Sequence, residues 1–84
     1  MEHIVQVPDY RPGGGIQLSW DEDFEIAVSV SGSEVSIKAN REGLVSLARH
    51  LLTLAQDQVH GGAHIHLTAD QEIDSDHDLI LERA

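Results

Sequence analysis

Apolar and polar residues alternate along residues 26–31 and again along residues 35–39, with an apolar residue at every second position. This two-residue period is typical of β-strands that bury one face. The Gly32-Ser33 pair between the two stretches has the composition of a two-residue hairpin turn. The pattern therefore predicts two antiparallel strands joined as a β-hairpin.

The hydrophobic period changes to three and four residues after Asn40, which is a favourable N-cap residue. The spacing predicts one amphipathic helix over about residues 41–58. We expect its leucine-rich stripe to face the sheet, with Leu47, Leu51 and Leu54 nearly fully buried. The opposite face is predicted to meet solvent and carries Ser46, Arg49, Thr53, Gln56 and Asp57.

Two stretches before the hairpin also alternate in the manner of strands, residues 3–7 and residues 16–20. Pro8 and Pro12 follow the first stretch and restrict its pairing, because proline cannot donate a backbone hydrogen bond. The sequence therefore predicts a short first strand and a more regular second strand.

After the helix, Gly61-Gly62 ends the helical pattern, and residues 63–68 and 77–82 again have the pattern of strands. A helix with one apolar stripe needs an apolar surface to cover, and the strands provide it. The predicted fold is therefore a single α+β domain over residues 1–84, in the order β-β-β-β-α-β-β. We expect a mostly antiparallel sheet of four to five strands with the helix packed on one face. The other, polar face would carry Gln17, Ser19, Ser29, Ser31, Ser36, Lys38, His64 and His66.

The charge balance of the chain is strongly acidic, with 15 acidic residues against five basic residues and a formal net charge of −10. Nucleic acid and anionic membrane surfaces are therefore poor partners, because both require clustered Lys and Arg. A basic protein is the natural electrostatic complement. The chain has no cysteine, no apolar run long enough to cross a bilayer and no signal-peptide pattern, so we expect a cytoplasmic protein.

His64 and His66 lie two positions apart in a predicted strand, so their imidazoles should project from the same surface. Such a pair could bind zinc or another divalent metal if His77 or an acidic residue supplied a third ligand. The pattern does not fix that third ligand, and both histidines also suit an exposed polar face. The sequence therefore predicts no cofactor and no metal, with His64, His66 and His77 as the candidates if one binds.

Catalytic patterns are not found in the sequence. The chain has no cysteine nucleophile, no Gly-x-Ser-x-Gly turn and no phosphate-binding glycine loop. Residues 74–78 resemble the start of a calcium loop, but Leu79 stands where the required glycine would be. We therefore expect a binding protein and not an enzyme.

An acidic loop at residues 70–76 concentrates four carboxylates in seven residues, and Ile73 is its one large apolar residue. Carboxylates in such a loop can dock on a basic surface, and an exposed Ile73 could anchor the contact. We predict partner binding through this loop and the neighbouring histidine strand, at Asp70, Glu72, Ile73, Asp74, Asp76, His64 and His66.

The leucine-rich helix, the Gly62-Ala63-His64-Ile65-His66-Leu67 strand and the closing Asp78-Leu79-Ile80-Leu81-Glu82 segment resemble a bacterial family. That family is immunity protein 32 of polymorphic toxin systems, and the similarity covers about residues 34–84. The resemblance implies a small cytosolic α+β protein that binds and blocks a cognate toxin domain, which the acidic charge suggests is basic, by surface occlusion. A metal-binding protein centred on His64 and His66 and a general protein-interaction module are the alternatives.

Overall fold

The computed structural model describes residues 1–11 and 13–84. Pro12, which was expected to restrict the first strand together with Pro8, lies outside the described residues. The elements are β1 (Ile26–Ser31), β2 (Glu34–Ala39), α1 (Arg41–Leu54), β3 (His64–Leu67) and β4 (Leu79–Glu82).

The chain is α+β as expected, but the predicted sheet of four to five strands is wrong. Two separate two-stranded antiparallel sheets form instead, β1 with β2 and β3 with β4. The element order is β-β-α-β-β, without the two strands predicted before the hairpin. As a consequence, the serines of the first sheet and the histidines of the second do not share one sheet face.

The β1–β2 hairpin has the predicted alternation and turn. Val30 pairs with Val35 and Val28 pairs with Ile37, so the apolar residues of both strands share one face. Gly32 in the turn has a φ of 59°, which glycine adopts without a steric cost. This apolar face is buried at the end next to the helix and exposed toward the turn.

The predicted strands at residues 3–7 and 16–20 are irregular because this segment lies along the helix. Arg49 Nε donates to the carbonyl oxygen of Gln6 at 2.9 Å, and Arg49 Nη1 donates to the carbonyl oxygen of Ser19 at 3.1 Å. Arg49 also forms an ion pair with Asp21 at 2.8 Å. Side chains of the helix therefore satisfy backbone groups that a neighbouring strand would otherwise have satisfied.

Two further side chains hold the same segment, Ser46 within α1 and Gln56 just after its end. The Gln56 side-chain amide donates to the carbonyl oxygen of Pro8, and its oxygen accepts from the Tyr10 N–H, both at 2.9 Å. The Ser46 hydroxyl accepts from the Asp21 N–H at 2.9 Å. The polar face that the sequence assigned to solvent is thus the face on which residues 6–10 and 19–21 pack.

The buried face of α1 is consequently rotated from the predicted one. Ser46 and Thr53 are at most 2 % exposed, whereas Leu51 is 52 % exposed and Leu44 is 55 % exposed. The burial of Leu47 and Leu54 is confirmed, but the predicted burial of Leu51 is wrong. The physical reason is that hydrogen bonds offset the cost of burying these polar groups: the Ser46 hydroxyl accepts from the Asp21 N–H, and the Thr53 hydroxyl donates to the carbonyl oxygen of Arg49 at 2.7 Å.

Both ends of α1 are capped by side chains. The Asn40 side-chain oxygen accepts from the Gly43 N–H at 2.8 Å, which confirms Asn40 as the N-cap. At the other end, Arg83 Nη1 donates to the carbonyl oxygens of Leu54 and Gln56 at 2.8 and 3.0 Å. A guanidinium at the negative end of the helix stabilises its termination at Leu54, four residues before the predicted end.

His50 is fully buried, and neither of its ring nitrogens has a hydrogen-bond partner among the described residues. Its ring lies edge-to-face against Trp20, with 4.4 Å between the centroids, and Trp20 stacks on Phe24. Burial, and secondarily the neighbouring Arg49 charge, lower the pKa of His50. Trp20 therefore packs against the core, and the sequence did not single out His50.

Candidate partner-binding surface

The acidic loop between β3 and β4 is held in a defined conformation by its own hydrogen bonds. The Asp70 N–H donates to the carbonyl oxygen of Ile73 at 2.9 Å, and the Thr68 N–H donates to Glu72 Oε2 at 2.9 Å. Asp70 has a φ of 62°, in the left-handed region that Asp tolerates better than most residues. The loop is therefore an ordered surface feature.

Ile73 is 2 % exposed and belongs to the hydrophobic core. The idea that Ile73 is an exposed anchor for a partner is therefore wrong. Its side chain holds the loop against the core because burying an isoleucine is favourable by about 1.5–3 kcal/mol. The acidic residues on either side are positioned by this buried residue.

Asp74 joins the loop to the edge of β1 that β2 does not use. Its N–H donates to the carbonyl oxygen of Ile26 at 2.8 Å, and its carbonyl oxygen accepts from the Val28 N–H at 3.0 Å. The contact is a parallel bridge between Asp74 and Ala27. The backbone of Asp74 thus connects the two sheets, while the residue itself remains exposed.

An open cleft of about 750 Å³ lies between this loop and the hairpin. Asp70, Glu72 and Asp74 line it from the loop, Glu25 lines it just before β1, and Lys38 is the one basic residue among the described lining residues. Four acidic residues against one basic residue give the cleft a negative potential, and a concave surface of one charge sign concentrates the field. The cleft is therefore suited to Lys or Arg side chains of a partner.

Asp76 and His77 lie beyond the Asp74 bridge and line a smaller cleft of about 290 Å³ with residues of β1. Ser75 is buried, and its hydroxyl accepts from the His77 N–H at 3.0 Å. This hydrogen bond holds the backbone conformation of residues 75–77. Three of the predicted carboxylates therefore border the large cleft, and the fourth, Asp76, borders its smaller neighbour.

His64 and His66 are exposed on the outer face of β3, as the alternation predicts, while Ile65 and Leu67 are buried. His66 Nε2 lies 2.7 Å from Asp78 Oδ2. The second oxygen of Asp78 accepts from the Ala69 N–H at 2.8 Å. This backbone hydrogen bond, and secondarily the one to His66, lower the pKa of Asp78.

The histidine pair has no metal-binding geometry in the part of the chain that the structure describes, where no three His, Cys, Asp or Glu side chains converge. The close partner of His66 is the Asp78 carboxylate, and His64 Nδ1 lies 3.2 Å from the carbonyl oxygen of Gly62. The histidines therefore form a polar surface beside the acidic loop.

Two charged residues of the cleft were not predicted from the sequence. Glu25 and Lys38 enter the site because Asp74 pairs with β1, and that contact spans about half of the chain. Only the acidic run Asp21-Glu22-Asp23 before β1 offered a signal for Glu25. No sequence pattern indicated that β1 and the acidic loop meet.

A second exposed surface is apolar. Leu44, Leu51 and Leu52 of α1 are each about half exposed, and so is Ile37 of β2. Val30 and Val35 at the turn end of the hairpin are 52 % and 66 % exposed. Isolated exposed apolar residues are ordinary in proteins, but six of the ten large ones among the described residues lie on α1 and the β1–β2 hairpin.

The Immunity protein 32 family model matches residues 34–84, which include β2, α1, β3, the acidic loop and β4. The matched range covers more than half of the chain. No curated protein and no solved structure matches the chain. Among the described residues, no helix is long and apolar enough to span a membrane.

Proposed function

Because the chain belongs to the Immunity protein 32 family, we propose that it binds a basic toxin domain and blocks it by covering its surface. The observation that carries this proposal is the acidic cleft between the loop at residues 70–76 and the hairpin. An immunity protein needs a partner-recognition surface and no catalytic group. The proposed role is therefore binding without a chemical step.

The acidic cleft supports this role through its rigidity as well as its charge. The loop is fixed by the burial of Ile73 and by the backbone pairing of Asp74 with β1. Carboxylates on a rigid element lose little conformational freedom when a partner binds, so less of the interaction energy is spent on ordering. Lys and Arg side chains of the toxin would enter the cleft and meet Asp70, Glu72, Asp74 and Glu25.

Electrostatic attraction of this kind acts mainly on the rate of association. The net charge of −10 adds a long-range field that draws a basic domain toward the protein. His64 and His66 lie on the strand that leads into the loop and form the flank of the proposed contact.

The test is a comparison of two variants that have the same net charge. The first replaces Asp70, Glu72, Asp74 and Asp76 with Asn or Gln. The control makes the same change at four exposed carboxylates elsewhere, Glu2, Asp9, Glu22 and Asp57. Binding to the toxin domain encoded by an adjacent gene is measured by stopped flow over a range of salt concentrations.

We expect the loop variant to associate about tenfold more slowly than the control variant at low salt, with a flatter salt dependence. The loop variant should also lose protection of cells that express the toxin. Equal association rates for the two variants would place the toxin interface outside the loop. Failure to bind or protect against any toxin encoded nearby would contradict the immunity role itself.

A further inference from the structure

Strand β2 has one free edge. Its only partner strand among the described residues is β1, and none of the isolated bridges in this part of the chain involves β2. By contrast, the outer edge of β1 is bonded to Asp74. Five of the six residues of β2 are exposed, and the strand contains no proline. Such an edge is a template for pairing with another strand.

The hydrogen bonds of the hairpin determine which backbone groups point outward from β2. The Asn40 N–H donates to the carbonyl oxygen of Glu25 at 3.1 Å. The backbone N–H and C=O groups of the even-numbered residues of β2 therefore point toward β1. The N–H and C=O groups of Val35 and Ile37 therefore point away from the hairpin. These four groups are available to a further antiparallel strand.

The sequence of β2 is complementary to itself. Glu34 and Lys38 lie on one face of the strand, and neither forms an ion pair within the described residues. If two copies of β2 pair antiparallel about a two-fold axis at Ser36, Glu34 of each copy lies opposite Lys38 of the other. The neighbouring symmetric registers place Glu34 opposite Ser36 or Asn40 instead.

The same register also pairs the outward backbone groups and brings exposed apolar side chains together. It places Val35 opposite Ile37 of the second copy, so the four outward backbone groups of each copy bond to those of the other. Val35 and Ile37 are 66 % and 49 % exposed in the single chain and would become cross-strand neighbours. The hydrogen-bond pattern and the exposed apolar residues are compatible with this register, and the pairing of Glu34 with Lys38 distinguishes it from its neighbours.

We propose that two copies of this protein associate through β2 to form a continuous four-stranded antiparallel sheet, with Glu34 of each copy opposite Lys38 of the other. The interface is isologous, because the same strand contributes both sides. Opposite charges at the two symmetric positions select the register, and the exposed apolar residues contribute affinity. The proposal is independent of the toxin-binding role.

The test uses charge reversal at the two positions and sedimentation velocity from low micromolar to millimolar concentration. In a dimer of Glu34→Lys, a lysine lies opposite a lysine at both symmetric 34–38 positions. In a dimer of Lys38→Glu, a glutamate lies opposite a glutamate at both positions. We expect each variant to dimerise about tenfold more weakly than the wild type, because favourable pairs become repulsive ones. Circular dichroism checks that each variant is folded.

The decisive part of the experiment is whether complementary charge changes restore dimerisation. An equimolar mixture of Glu34→Lys and Lys38→Glu should form a heterodimer, because each lysine then meets a glutamate. The double variant Glu34→Lys/Lys38→Glu should likewise form a homodimer of wild-type strength. The controls Glu22→Lys and Arg11→Glu make the same charge changes outside β2 and should dimerise like the wild type.

A wild-type protein that is monomeric throughout this range would overturn the proposal and would mean that the charges protect the edge from pairing. Single variants that dimerise like the wild type would place any dimer interface elsewhere, for example on the exposed leucines of α1. Failure of both the mixture and the double variant to restore association would refute the register. Lys38 also lines the acidic cleft, whereas Glu34 does not. The effect of Glu34→Lys on dimerisation can therefore be measured without changing a residue of the proposed toxin-binding cleft.

Discussion

Replacing Gly43 with alanine tests the closest approach between α1 and the hairpin. Gly43 is buried in the first turn of the helix. A Cβ atom at this position would overlap the carbonyl oxygen of Glu25 and would lie 2.9 Å from Ile26 Cγ1 and 3.1 Å from Ala39 Cβ. Glycine is therefore required here by the lack of space, and its backbone conformation is that of an ordinary helix.

The expected change in the free energy of unfolding is the sum of opposing effects. Alanine in place of glycine favours a helix by about 1 kcal/mol. Overpacking costs about 1–3 kcal/mol, and displacing Glu25 weakens its two hydrogen bonds with Asn40, at 2.9 and 3.1 Å, each contributing about 0.5–1.5 kcal/mol. We expect Gly43→Ala to destabilise the protein by about 2 kcal/mol.

Urea denaturation followed by circular dichroism measures this change, with Gly61→Ala as the matched control. Gly61 is exposed, and the nearest atom to a Cβ there is 3.6 Å away, which is an ordinary contact. Gly61→Ala should be neutral or stabilising by up to about 1 kcal/mol, because it restricts the unfolded chain. If Gly43→Ala raised the denaturation midpoint as Gly61→Ala does, α1 would not approach the hairpin this closely.

Two further predictions use the same denaturation assay. Leu54→Ala should cost about 2–5 kcal/mol because Leu54 is 6 % exposed, whereas Leu51→Ala should cost less than about 1 kcal/mol; equal losses would refute the rotated helix face. His50 is held neutral in the folded state with a lowered pKa, so the unfolded chain binds its proton first as the pH falls. Below about pH 6.5 the wild type should therefore lose up to about 1.4 kcal/mol per pH unit from this residue, whereas His50→Phe should show a shallower slope there. Identical slopes would mean that His50 titrates normally in the folded protein.

The elements that depend on neighbouring residues could be predicted from the sequence. The alternation over residues 26–39, with Gly32 at its turn, fixes the hairpin and its apolar face. The Asn40 cap follows from the preference of its side chain for the first turn of a helix. The exposure of His64 and His66 on one face follows from the two-residue period of β3. In each case the decisive interactions lie within a few positions along the chain.

The orientation of the helix could not be predicted in this way. Its leucines and its polar residues form two stripes, and amphipathicity alone assigns the polar stripe to water. Arg49, Gln56 and Ser46 instead bond to backbone atoms of residues 6–10 and 19–21. Five backbone groups there, at Gln6, Pro8, Tyr10, Ser19 and Asp21, bond to these side chains and not to a neighbouring strand. A local pattern cannot distinguish a polar residue in water from one that binds a distant backbone.

The candidate site was predictable in its charge but not in its shape. The carboxylates of residues 70–76 are evident from the sequence, whereas the burial of Ile73 and the pairing of Asp74 with β1 join segments that are far apart in the chain. That pairing also explains how a loop with four carboxylates keeps one conformation despite their mutual repulsion. Backbone hydrogen bonds and one buried isoleucine offset a repulsion that solvent and salt reduce.

The hairpin carries both proposed interactions, on opposite edges. The β1 edge holds the acidic loop through Asp74, and the β2 edge remains open for a second copy. Lys38 connects the two surfaces, because it lines the acidic cleft and also lies opposite Glu34 in the proposed dimer. An ion pair with Glu34 of the second copy would compensate the one positive charge among the described residues of the cleft. Dimerisation would then leave four carboxylates to face the toxin, so self-association and attraction of a basic partner would support each other.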